Sequence, residues 1–157
     1  MKNKERGIIV CRITFILYIV GLCYFMLFAE MFGFGRMHTD GAYQYNLELF
    51  REIRRFWTYR KSLGFTAVFL NLGGNVIGFI PFGLFMPILF PKSKNIFFIL
   101  IITFLLSLCF ETLQFIFKVG CFDVDDLLLN TTGGVAGYIL FRLLTLRSSY
   151  GKKQKTV

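Results

Sequence analysis

Asp123, Asp125 and Asp126 stand in the run Phe122-Asp-Val-Asp-Asp-Leu-Leu-Leu-Asn130, which leads straight into an apolar stretch. Glu111 and Gln114 lie just upstream, inside another apolar run. Ionisable groups within a bilayer are strongly disfavoured, so each is by default a functional-site candidate. A buried glutamate must be paired, protonated or wetted; Lys118, Arg54 and Arg55 are the candidate cations for Glu111. Several chemistries suit these groups. Glu111 and Asp126 could serve as acid and base in a membrane enzyme acting on a lipid-linked substrate. Asp123, Asp125, Asp126 and Glu111 could offer oxygens to a hard cation, although EF-hand spacing is absent. The same groups could hold the polar head of an amphiphile. No Ser-His-Asp set exists, because the sole histidine, His38, falls in a glycine-rich loop. P-loop and dinucleotide fingerprints are missing as well. Neither a metal nor a cofactor is expected.

The elements that must position these groups are membrane spans. The chain has 157 residues, 55% of them hydrophobic and 18% aromatic, with a mean hydropathy of +0.62. About twenty apolar residues cross hydrocarbon as a helix. Four runs have that length: Ile8–Phe28, Phe65–Phe90, Ile96–Phe117 and Leu127–Leu146. The expected fold is an all-α membrane protein, one domain over residues 1–157, with four transmembrane helices.

Charge supplies the orientation. The net charge is +9, and the cations flank the spans rather than forming a nucleic-acid patch. Lys2, Lys4 and Arg6 precede the first span, Lys92 and Lys94 separate the second and third, and Arg147, Lys152, Lys153 and Lys155 follow the fourth. The positive-inside rule then puts both termini in the cytoplasm, the first span being an uncleaved anchor rather than a signal peptide. At about 1.5 Å per residue, Asn71 and Asn75 lie roughly 9–15 Å below the outer surface, Glu111 about 9 Å, and Gln114 and Asn130 about 5 Å, with Asp126 at the surface. Polar groups from three spans thus share the outer half. Glu111 and Gln114 share one side of their helix, as do Asp126, Asn130, Gly133 and Gly137. Asp123 suits an N-cap of the last span, and Asp125 points elsewhere, toward headgroups or water.

Between the first two spans, Leu47, Phe50, Ile53 and Trp57 recur at helical spacing, with Glu48, Arg51, Glu52 and Arg55 on the other side. This predicts an amphipathic helix over about residues 46–59, N-capped by Asn46 and lying in the outer headgroup layer. Its arginines, Arg54 and Arg55 among them, either anchor it or grip an anionic headgroup or pyrophosphate. In the second span, Pro81 and Pro87 should kink or break the helix. Asn71 and Asn75 share a face, and Gly74 and Gly78 form a small-x-x-x-small approach face, a device repeated by Gly133 and Gly137. The amides could equally be interhelical glue. Cys11, Cys23, Cys109 and Cys121 have no metal or disulfide spacing.

Three motifs in order carry a resemblance. Asn71-Leu-Gly-Gly-Asn75 with Phe79-Ile-Pro-Phe-Gly83, then Glu111-x-x-Gln114, then Phe122-Asp-Val-Asp-Asp-Leu-Leu-Leu-Asn130-Thr-Thr-Gly-Gly134 resemble the VanZ-like family of bacterial membrane proteins. Many members carry an arginine shortly before the last motif; here the stretch reads Lys118-Val-Gly-Cys121. The resemblance implies a Gram-positive cytoplasmic membrane and an association with low-level resistance to teicoplanin-type lipoglycopeptides. The reading drawn is an outward polar pocket, roofed by the interfacial helix, that binds a lipid-linked wall precursor or a lipoglycopeptide. Its residues are Asn71, Asn75, Glu111, Gln114, Asp123, Asp126, Asn130, Arg54 and Arg55, with membrane lipids as further partners and no nucleic acid. The alternatives are the enzyme using Glu111 and Asp126, and a structural protein with no ligand.

Overall fold

The computed structural model describes residues 2–28, 45–91 and 95–154, with side chains for residues 5–27, 45–91 and 95–146. Gly33, Gly35, His38, Gly41, Lys92 and Lys94 lie outside the described residues, as do the side chains of Lys2, Lys4, Arg147, Lys152, Lys153 and Lys155. Four helical segments are long and apolar enough to cross a membrane: Glu5–Leu27, Phe65–Leu89, Ile96–Phe117 and Val124–Leu146. Helices satisfy every backbone group internally, which hydrocarbon demands. The large apolar side chains Leu17, Phe97, Ile116 and Leu143 point away from the bundle, so its outer wall is a lipid-contact surface and the protein is a multi-pass membrane protein.

The elements in chain order are α1 (Lys2–Phe28), β1 (Tyr45–Asn46), α2 (Arg51–Thr58), α3 (Arg60–Leu63), α4 (Phe65–Val68), α5 (Gly74–Leu89), α6 (Ile96–Phe117), β2 (Phe122–Asp123) and α7 (Val124–Gln154). A π-helical turn, Phe69–Gly73, joins α4 to α5. The two short strands pair in parallel, Tyr45 opposite Phe122 and Asn46 opposite Asp123. This pairing brings the segment after α1 onto the lead-in to α7.

The second span differs from expectation at its prolines. α5 runs through both Pro81 and Pro87. Membrane helices tolerate the missing donor because neighbouring helices and local adjustment re-satisfy the freed backbone group. The irregularity sits upstream instead, in the π turn.

α5 and α7 share the most extensive interface, and glycine makes it. A Cβ at Gly133 would overlap the Val76 carbonyl, one at Gly137 the Ile80 carbonyl, and one at Gly83 the Gly134 carbonyl. Gly134 meets the Thr103 side chain of α6 in the same way. Of the two glycines expected to do this on the second span, Gly74 has nothing within 4 Å and Gly78 only Leu22 at 3.7 Å. The intimate face of α5 is one position series away from the one the motif suggested.

α1 packs more loosely. Leu22 and Met26 join Phe79 and Phe110 in one apolar cluster. Phe79 meets Phe110 edge-on, with centroids 6.3 Å apart, a favourable aromatic geometry. The Tyr18 hydroxyl donates to the Gly78 carbonyl at 2.7 Å, tying α1 to α5.

Candidate functional site

The polar groups gather at the end of the bundle where α1 and α6 finish, α7 begins, and β1, β2 and α2 lie. α7 starts directly after Asp123, whose Oδ1 accepts the Asp125 amide at 2.8 Å. That is an N-capping bond, and it places the carboxylate at the positive end of the helix dipole. The same oxygen accepts from Asn46 Nδ2 at 2.9 Å. The Asp123 amide in turn donates to Glu111 Oε2 at 2.9 Å. Glu111 is 1% exposed and Asp123 is fully buried, so the glutamate fixes a backbone amide inside the protein. Arg55, one of its candidate cations, pairs instead with Glu52 at 3.1 Å.

Asp125 corrects the sequence reading most sharply. It was expected to face headgroups or water, yet it is 1% exposed. Its Oδ1 accepts the Phe50 amide, and its Oδ2 accepts the Glu52 and Ile53 amides at 2.8 and 3.2 Å. These amides open α2, and a helix N-terminus leaves such donors without intrahelical partners. One carboxylate therefore serves three of them, across the fold. Asn46, expected as that cap, lies in β1; its side chain accepts the Glu48 amide at 3.1 Å and reaches Asp123. The helix consequently begins at Arg51 rather than near residue 46. Phe50, just before it, holds a left-handed φ of 65°, strained for a residue with a side chain.

Docking by Asp125 also sets which side of α2 faces the bundle. The buried residues are Glu52 and Phe56, four apart on one face. Of the apolar stripe, Leu47, Phe50 and Trp57 are exposed and Ile53 is half-buried. The outer surface therefore mixes Trp57, Tyr59 and Leu63 with Arg51, Arg54, Arg55, Arg60 and Lys61. Arg60 lies over the Trp57 ring at 4.9 Å and donates to the Trp57 carbonyl at 2.6 Å. Aromatic and cationic side chains together suit a headgroup layer.

The remaining predicted residues serve distinct partners. Asn75 donates to Asp126 Oδ1 at 2.6 Å, linking α5 to α7, and both are half-buried. Gln114 donates to the Met26 carbonyl at 2.7 Å, satisfying one of the last carbonyls of α1. Asn130 donates to Ser107 Oγ at 2.8 Å between α7 and α6. Asn71 only bonds back to the Ala67 carbonyl at 2.9 Å. Asn71 lies inside the π turn and Asn75 in α5 beyond it, and the two amides bind different partners. Glu111 accepts the Asp123 amide, and Asp126 accepts from Asn75. Among the described residues no set of three His, Cys, Asp or Glu side chains could hold a metal ion.

Some members escaped sequence reasoning. Thr103, Ser107, Glu111 and Gln114 are all buried on α6, and their spacings of four, four and three mark one helix face. That pattern was visible but included two small hydroxyls too weak to attract notice. The carbonyl oxygens of Gln114 and Asn130 and the hydroxyl of Thr131 are buried without a hydrogen-bond partner, leaving acceptor capacity inside this polar seam.

Comparison with known proteins places the sequence in a family. The VanZ/LLP1 family profile matches residues 15–145. Protein VanZ of Enterococcus faecium is 34% identical over 158 aligned positions, which cover 96% of this chain and 85% of that protein. No solved structure matches. A profile match over residues 15–145 and 34% identity across nearly the whole chain make this chain a member of the VanZ/LLP1 family.

Proposed function

We propose that the protein binds a polar-headed amphiphile of the bacterial cell envelope at the α2 end of the bundle, and thereby contributes to low-level teicoplanin resistance. In this reading the α2 end faces outward and both termini are cytoplasmic, as the cations flanking the spans imply. The observation that carries it is the seating of α2. Asp125 binds the amides of Phe50, Glu52 and Ile53, so a helix bearing exposed Arg51, Arg54 and Arg55 is held on a rigid base. Positioned guanidinium groups can take a phosphate or carboxylate bidentately, and preorganisation lowers the ordering cost of binding. The half-buried Asn75–Asp126 pair lies below as a further polar contact. The ligand is a lipid-linked wall precursor or a lipoglycopeptide.

The test is expression in a teicoplanin-susceptible Gram-positive host. The inhibitory concentration of teicoplanin should rise, and the double substitution R54A/R55A should abolish the rise while the protein still accumulates in the membrane. Unchanged susceptibility, together with no binding of either ligand by the purified protein, sinks the reading.

A second reading has its own observation: the buried polar groups bond to one another across α1, β1, α6 and α7. On that view the cluster only joins elements. Asn75→Ala or Asn130→Ala should then lower thermal stability in detergent and leave susceptibility as it was. Lost function at unchanged stability excludes it.

A further inference from the structure

Beneath the strand pair lies an open apolar groove of about 300 Å³, lined by Tyr45, Leu47, Thr112, Phe115 and Phe122. No charged side chain lines it. The hydroxyl of Thr112 is already satisfied within its own helix, donating to the Leu108 carbonyl at 2.7 Å. Thr112 stands five residues before the end of α6 at Phe117, so the groove descends roughly 8 Å below the end of that span. It is continuous with the lipid-facing wall of α6, where Thr112, Ile116 and Phe117 are exposed. Lys118 follows Phe115 by three residues and is exposed at the end of the helix, at the level of lipid phosphates.

Water in such a space needs two or more polar partners, and these walls expose no polar surface to it. Bilayer chains adjoin the groove directly, and close van der Waals contact is what selects one apolar occupant over another in a membrane. We propose that the groove seats one straight acyl chain of a resident anionic phospholipid, with Lys118 favouring the negative headgroup. This seat is separate from the arginines of α2, so its failure would leave the susceptibility test untouched.

Native mass spectrometry of the full-length protein in mild detergent tests it. One phospholipid per chain should be retained, enriched in phosphatidylglycerol over zwitterionic lipid. T112F, which fills the groove, should reduce retention several-fold, whereas T112S keeps the helix bond and should not. K118Q should keep a lipid but lose the anionic preference. Should T112F fail to fold, F115W in a W57F background reports on the intact groove, since Trp57 is the only native tryptophan. With phosphatidylglycerol brominated along its chains at low mole fraction, F115W should be quenched more than I116W on the open wall. Equal quenching at the two positions, unaltered retention in T112F, or an isoprenoid or lipoglycopeptide retained in place of phospholipid overturns the proposal.

Discussion

Two regions hold this bundle together by opposite means. Along the α5–α7 seam, Gly83, Gly133 and Gly137 bring backbone against backbone. At the α2 end, Asn46, Glu111, Asp123 and Asp125 are joined by hydrogen bonds between buried groups. Lipid tails are as apolar as leucine, so helices in a bilayer gain little from hiding apolar surface and depend on close packing and polar contacts. The seam uses the first device along two paired spans. The α2 end uses the second where the chain must leave the helical ladder and its freed amides need acceptors. Intolerance therefore has a different origin in each: volume in the seam, acceptor geometry at the end.

The largest effect should come from the seam. Gly133→Val forces a branched side chain onto the Val76 carbonyl, and overpacking against backbone should cost about 3 kcal/mol or more. The readout is loss of monodisperse, thermally cooperative protein in detergent; a variant with native melting would show that α7 can shift freely. Next comes Asp125→Asn, which turns an amide NH₂ toward backbone donors and should cost about 1–3 kcal/mol. Hydrogen exchange at the Glu52 and Ile53 amides should rise roughly tenfold or more, since each ~1.4 kcal/mol is a factor of ten in opening, while the seam stays protected. A uniform change in exchange across both regions would mean that they do not open independently.

Smaller effects sharpen it. Asn75→Ala and Asn130→Ala each remove one interhelical bond, worth about 0.6 kcal/mol on average between membrane helices. Thermal melting should fall slightly for each. Last is Gly74→Ala, which meets open space. It should be neutral or stabilising by up to about 1 kcal/mol from helix propensity. A clear loss there would mean that small residues of the second span matter for reasons other than the seam.

The sequence made the spans legible because length and apolarity are one-dimensional properties. The expected second span, Phe65–Phe90, and the observed Phe65–Leu89 differ by a residue. Gly133 and Gly137 could be read as an approach face from their spacing alone. Gly83 could not, since what marks it is the Gly134 carbonyl opposite, a fact of the partner helix. Pro81 misled because its missing donor is a local property, while tolerance of it depends on the surrounding bundle. Asn75, Glu111 and Asp126 are legible as polar groups of one membrane half and Asp123 as a cap, yet their pairings are not recoverable from the chain alone. Asp125 was misplaced for the same reason. Its facing on α7 pointed outward, and only α2, arriving from another part of the chain, converts that direction into an interior.

The Asp125 carboxylate lies 75 positions after the Phe50 amide it receives, and this separation has a consequence for biogenesis. Chains emerge N-terminus first, so α2 is made long before the group that seats it. Until the start of α7 is synthesised, the opening amides of α2 have only water or headgroups to bond. A ribosome-bound chain ending before Asp125 should leave the Phe50–Ile53 segment open to protease, and one extending past it should close that segment. The latch is therefore also a clock, reporting that the last span has arrived.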